Sequence, residues 1–234
     1  MMFFTRMALN GARRGAGRLL ASPQLMHAAV LASFPPRPEG EASEGRVLWR
    51  VDVDGPHRWL YVLSPERPDL TAVVEQAGWP LAGTWETKPY DSLLDRVRLG
   101  GEYRFALVAN PVRDVRVGQR RSKRLPHVTV AQQEQWLREK SVRAGFELLA
   151  TDREVLDAAG AVRVDRVEEL AVSERRDRVF RRGDGKVTLR TARFDGLLRV
   201  TDADAFRRVL CSGIGPAKGY GCGLLTVQRI AADA

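Results

Sequence analysis

His27 is the residue around which chemistry can be built. It falls three positions after Gln24, a spacing that puts both side chains on one face of a helix. Met26, Val30 and Phe34 can supply an apolar stripe beside them. An imidazole can take the proton of a ribose 2′-OH or give one to a leaving 5′-oxygen. Attack of that hydroxyl on the adjacent phosphate needs no metal. It needs in-line geometry and positive charge near the phosphate. Arg13, Arg14, Arg18 or Lys218 can supply that charge. A lone histidine on a helix is otherwise a structural or surface residue, and composition alone does not select this reaction.

A second signal is the run from Gly213 to Gly223, in which five of eleven residues are glycine. Such a loop lets backbone N–H groups approach a phosphate closely. Gly215 and Gly219 are its inner glycines, and Lys218 adds a point charge at the same place. It lacks the glycine-lysine-hydroxyl end of a Walker loop. A dinucleotide fingerprint follows a strand and opens a helix, whereas this run follows a helix and leads into the strand Leu224-Leu225-Thr226-Val227. The structural alternative is a tight helix-to-strand connection.

Positive charge is concentrated in two places. Arg113, Arg116, Arg120, Arg121, Lys123 and Arg124 fall within twelve residues, opposed only by Asp114. Arg175, Arg176, Arg178, Arg181, Arg182, Lys186, Arg190 and Arg193 flank Gly183-Asp184-Gly185, the tip of an expected hairpin. A two-stranded basic ribbon can follow a nucleic-acid groove with its guanidinium groups on phosphates and base edges. Charge runs are usually solvated faces, but two separate clusters weaken that reading. Phe3, Phe4, Tyr103 and Phe105 sit on expected strands and read as core. Recognition is therefore expected through duplex shape and phosphates, not through stacking on a sheet.

The chain has 234 residues and a formal charge of +9, with pI about 10.2 and 44% hydrophobic residues. That composition suits a folded protein with an anionic partner, and nucleic acid comes first. Two cysteines, Cys211 and Cys222, form no disulfide framework and suit a reducing, cytoplasmic location. His27, His57 and His127 lie far apart, and no Cys/His cluster has zinc spacing. No apolar run approaches the roughly 20 residues of a spanning helix. The first carboxylate is Glu39, after five arginines, which resembles a transit peptide. However, Phe3, Thr5, Met7 and Leu9 alternate with Phe4, Arg6 and Ala8, a strand period. The segment therefore belongs to the fold.

Further along, the glycine-bearing basic stretch after Asn10-Gly11 is expected as a loop. Ser22-Pro23 caps a helix reaching to about Ser33. Strands are expected over Val47–Val53 and Arg58–Leu63, a short helix from Pro68 to Ala77, and a strand over 81–87. The order is β-α-β-β-α-β. After a linker at 89–101 the order repeats. It runs through a strand at Tyr103–Ala109, a helix capped by Thr129, a strand region from Phe146, a long arm at Lys186–Val200, a helix at Asp202–Cys211 and a strand at Leu224–Ile230. The expected class is α+β, two tandem ferredoxin-like (RRM-like) domains. The first spans 1–88 and carries His27. The second spans 102–234 and carries the basic hairpin and the glycine run.

Ser22-Pro23-Gln24-Leu25-Met26-His27, Ala109-Asn110-Pro111, Phe194-Asp195-Gly196-Leu197-Leu198 and the run from Gly213 to Val227 together resemble the CasE family, over nearly the whole chain. These are CRISPR-associated endoribonucleases of the type I-E Cascade complex. The resemblance implies two tandem ferredoxin-like domains and metal-independent cleavage of CRISPR precursor RNA at the base of each repeat hairpin. It implies 2′,3′-cyclic phosphate and 5′-hydroxyl ends, and retention of the mature guide as a Cascade subunit. The partners it implies are repeat RNA and other Cascade subunits, with no membrane and no cofactor. The family's catalytic histidine corresponds to His27, its groove-binding hairpin to the region Arg175–Arg193, and its glycine-rich loop to Gly213–Gly223. Two positions depart from the family pattern. Gln24 stands where members often carry tyrosine, and Ala32 where some carry lysine. Glutamine can position a ribose or phosphate but is no proton donor of tyrosine's kind. The missing lysine leaves Arg18 or another N-terminal arginine to meet the transition-state charge. The rival readings are an RNA-hairpin-binding module that does not cut and a protein scaffold of a ribonucleoprotein complex.

Overall fold

The computed structural model describes residues 1–36, 45–80, 85–117, 121–156 and 162–230. The alternating N-terminal segment is a strand, β1 (Phe3–Leu9), which turns Thr5, Met7 and Leu9 into the core. Two helices follow, α1 (Arg14–Ala21) and α2 (Pro23–Leu31). The Ser22 side chain accepts the Leu25 N–H at 3.3 Å. Pro23 fills the first helical position, where no N–H is needed. Strands β2 (Leu48–Asp54) and β3 (His57–Ser64) form a hairpin turning at Gly55. Helix α3 (Thr71–Ala77) and strand β4 (Trp85–Pro89) complete an antiparallel sheet in the order β2-β3-β1-β4. Each helical crossover skips one strand, the ferredoxin-like pattern. Of the strand expected over 81–87, residues 81–84 lie outside the described residues.

The basic, glycine-bearing stretch expected as a loop is instead helix α1. Its glycine serves close packing. A Cβ at Gly15 would stand 2.1 Å from the Gln76 carbonyl oxygen of α3. Arg13 ties the same helices together, donating to the Val74 and Gly78 carbonyls at 3.1 Å each. These carbonyls belong to the open end of α3.

A short helix, α4 (Asp91–Leu94), leads into β5 (Glu102–Ala109). Strands β6 (Val112–Val117) and β7 (Arg121–Pro126) then form a separate ribbon. Helix α5 (Val130–Ala144) opens on a reciprocal cap between Thr129 and Gln132 and ends at Gly145, with φ 76°. Next come β8 (Phe146–Leu148) and a second ribbon of β9 (Ala150–Leu156) and β10 (Val162–Glu168). The long hairpin of β11 (Leu170–Arg182) and β12 (Gly185–Val200) follows, then α6 (Ala203–Ser212) and β13 (Leu225–Arg229). This sheet runs β11-β12-β5-β13, with β8 also on β12. The crossover pattern repeats the first, so the chain is two tandem ferredoxin-like folds. Both ribbons are additions to that plan, and neither is separated by the sequence patterning. Charges break the alternation in β6 and β7, and no face of β9 or β10 is fully buried.

One buried cluster spans both halves, joining Met2, Leu48 and Leu63 to Phe105, Phe194 and Phe206. Tyr90 and Val97, between β4 and β5, are buried in it too. Arg50 of β2 crosses the same boundary at 2% exposure. It grips Asp52 with two nitrogens at 2.6 and 2.8 Å. It also donates to the Ala106 and Leu224 carbonyls and to Thr226 Oγ1, each at 2.8 Å. Arg193 of β12 reaches Asp52 at 3.1 Å. The two sheets are thus pinned by apolar packing and by one satisfied ionic network.

Candidate active site

His27 stands on α2, half-buried, against the glycine run of the other half. A Cβ at Gly219 would lie 3.3 Å from its Nε2, so glycine there makes room for the imidazole. Nδ1 is buried without a hydrogen-bond partner, as is Oε1 of Gln24 one turn earlier. Nε2 is the ring nitrogen that faces the backbone of Gly219. The Tyr220 ring meets His27 edge-on at 6.3 Å, and Phe180 of β11 meets Tyr220 at 4.8 Å. This aromatic row docks the basic hairpin onto the loop and brings Arg182 near the imidazole. Burial lowers the His27 pKa below its ordinary value, and repulsion from Arg182 lowers it further.

The glycine run owes its form to close approach. Gly215 (φ 76°) sits on Trp136, where a Cβ would come within 2.8 Å of the ring. Gly221 (φ 78°) sits on Trp49 at the same distance. The N–H groups of Ile214, Tyr220 and Gly223 are taken by the carbonyls of Gly223, Ala217 and Val108. Lys218 Nζ donates to the Ser212 carbonyl at 2.7 Å, at the C-terminal end of α6. Burial, and then Arg46, hold the Lys218 pKa below its ordinary value.

Much of the hairpin's charge is committed within the protein. Arg175 donates to the Val128 carbonyl, Arg176 pairs with Glu174, Arg190 with Asp177, and Arg193 with Asp195. Among the described residues, the side chains of Arg178, Arg181 and Lys186 have no hydrogen bond or ion pair, and that of Arg182 has only its electrostatic reach to His27. The shorter ribbon exposes Arg113, Arg116, Lys123 and Arg124, with one 3.4 Å pair between Arg124 and Asp114. Arg121 opens β7, and Arg120 lies outside the described residues. Among the described residues no helix is long and apolar enough to cross a membrane, and no group of three His, Cys, Asp or Glu could hold a metal ion.

A family model described as CRISPR associated protein matches residues 2–229. The chain belongs to this family. This CRISPR-associated protein is 30% identical over 231 residues to CRISPR-associated endoribonuclease Cse3 of Thermus thermophilus, covering 97% of the chain and 99% of the relative. It is 28% identical over 209 residues to CRISPR system Cascade subunit CasE of Escherichia coli, covering 78% and 94%. Among solved structures it matches Thermus thermophilus Cse3 bound to an RNA representing a pre-cleavage complex, with TM-score 0.72, 26% identity and coverage of 97% and 99%. Cas6e from Escherichia coli shares the fold, with TM-score 0.63, 20% identity and coverage of 98% and 100%. The CasE resemblance read from the sequence holds.

Of the residues singled out in the sequence, the fold of this CRISPR-associated protein gathers His27, Gln24, Gly219 and Arg182 into one place. Arg13 is engaged with α3, while Arg14 and Arg18 stand exposed on α1 without partners among the described residues. The cation that acts on the imidazole is Arg182. Tyr220 was not singled out in the sequence. Its only local signal is an aromatic side chain inside a glycine loop, where no apolar periodicity asks for one.

Proposed function

We propose that this CRISPR-associated protein binds the stem-loop of a CRISPR repeat, cuts the precursor at the hairpin base and keeps the product as a Cascade subunit. It is an endoribonuclease, the activity for which its Thermus relative is named. Cascade membership follows the Escherichia coli relative. The observation that carries the reading is His27 set with Nε2 toward Gly219 and next to Arg182, at the foot of a basic hairpin.

The chemistry needs only the substrate's own nucleophile. The 2′-oxygen attacks the adjacent phosphorus as His27 Nε2 takes its proton, and the bond to the 5′-oxygen breaks. A proton delivered to that oxygen completes a 5′-hydroxyl and leaves a 2′,3′-cyclic phosphate. Arg182 offsets the charge that builds on the phosphoryl oxygens, with Arg18 as a second source. Gln24 Oε1 and His27 Nδ1 are both unpartnered in the free protein; with RNA bound, Oε1 accepts from Nδ1–H, fixing the tautomer that leaves Nε2 free as a base. Arg181 and Lys186, whose side chains have no internal partner among the described residues, follow the RNA groove. Arg14, Arg113, Lys123 and Arg124 extend the basic rim, and Gly215, Lys218 and Gly219 shape the wall behind the scissile phosphate. The working units are residues 1–88 and 102–234, and the location is cytoplasmic.

The test is single-turnover cleavage of the repeat hairpin in EDTA, with end analysis. Wild type yields a cyclic phosphate and a 5′-hydroxyl. His27→Ala binds the hairpin but cuts at least about 100-fold more slowly. Cleavage by that variant at the wild-type rate would remove His27 from the mechanism.

A further inference from the structure

Beside the His27 site lies a cavity of about 260 Å³ between the two halves. The first half supplies mostly apolar lining, Leu20, Met26 and Val51 among it, with Arg58 its one charged residue. The opposite wall comes mainly from β11, β12 and the glycine run and carries Arg176, Arg178 and Arg193 against the single carboxylate Glu174. Tyr220 stands between the cavity and the imidazole, since it lines one and touches the other. The volume is just under the roughly 300 Å³ at which drug-sized sites begin, room for a single planar base.

One cation lining this cavity lacks a side-chain partner. The Arg178 side chain is partly buried and has no hydrogen bond or ion pair among the described residues, while its neighbours Arg176 and Arg193 are bound to carboxylates. Burial, followed by repulsion from Arg176, depresses its pKa, and attraction from Cys222 and Glu174 only partly offsets this. A bulge between Ser173 and Arg176, with Glu174 at φ 43°, turns this part of β11 toward the cavity. A strained, re-aimed strand beside a ligand-sized space is a feature of binding sites.

We infer that this cavity takes one unpaired nucleotide of the bound RNA, its phosphate on Arg178 and its base against the apolar side chains. The anion that Arg178 calls for and the flat apolar face that suits Leu20, Met26 and Val51 are both present in a nucleotide: a phosphodiester and a base. Because Tyr220 separates the cavity from His27 by one ring, the nucleotide lies next to the scissile linkage. It acts as a register pin, setting which phosphate faces the imidazole. This rests on the RNA-cleaving reading and adds a base-binding subsite to it.

The test uses the full chain with His27→Ala to keep the RNA intact, and repeat hairpins made abasic at one unpaired position at a time. One abasic position near the cut is expected to weaken binding about tenfold, the effect of losing one base's apolar contacts. Leu20→Trp, which fills the cavity and leaves every arginine in place, weakens binding of intact RNA and erases the effect of that abasic position. Arg178→Gln, on the hairpin and outside both apolar cores, does the same by an independent route. Additive losses at every position in both variants would overturn the subsite while leaving the nuclease reading intact. Failure of the parent to bind any repeat hairpin would overturn both.

Discussion

A histidine with a lowered pKa is neutral near pH 7 and ready to accept a proton. His27 is held there by burial first and by Arg182 second. The sign follows from the charges: both causes disfavour the imidazolium, so removing Arg182 raises the pKa toward its ordinary value. The acid limb of kcat/KM, which reports the free enzyme, should therefore move to higher pH in Arg182→Ala. An acid limb that stays put would show that Arg182 does not act on His27. Stability has the same origin. Between the lowered folded value and the ordinary unfolded one, the unfolded chain binds more protons. A stability penalty therefore accumulates as pH falls through that window and is absent above it. Gln24 and His27 were readable as a pair because a helix repeats locally. Arg182 and Tyr220 were not, because they approach from positions more than 150 residues away.

At the scale of elements, α1 shows how one residue type carries two meanings. Gly15 is pressed on a carbonyl of α3, whereas a Cβ at Gly17 would meet nothing within 4 Å. Gly15→Ala should destabilise the protein by about 1–3 kcal/mol, because backbone must move. Gly17→Ala should be neutral or stabilise it by about 0.5–1 kcal/mol, because helical alanine costs less entropy. Urea denaturation of the two variants checks this, and equal effects would refute the packing account. A glycine-rich stretch reads as a loop when only the local chain is visible. The partner helix that demands the missing side chain lies some 60 residues on. The caps on α2 and α5 were legible for the opposite reason: donor and acceptor sit within four residues.

For the molecule as a whole, the site exists only while the two halves hold one mutual position. His27 belongs to the first half, and Gly219, Tyr220 and Arg182 to the second. Arg50 is the side chain that spans the boundary with the most hydrogen bonds. Arg50→Met would leave Asp52 with Arg193 alone and strip the donor that Arg50 gives to the Ala106 and Leu224 carbonyls. The expected loss is about 3–5 kcal/mol, as for breaking other buried ion pairs, read from chemical denaturation. Cleavage should fall more than hairpin binding, since the exposed ribbons keep their charge while the groups around His27 lose their alignment. An unchanged midpoint would show that the apolar cluster alone sets the assembly.

Strand alternation, helix caps, hairpin tips and charge clustering were all determined by residues near one another in the chain. They carried the tandem fold and the lone histidine with no tertiary information. Tertiary structure alone decided which arginines are committed to internal carboxylates and which are free, that Tyr220 lies beside the imidazole, and that an open cavity adjoins it. Those outcomes depend on contacts closed across the whole chain, where the energy of an approach is set by shape and desolvation and leaves no periodic trace in the order of the residues.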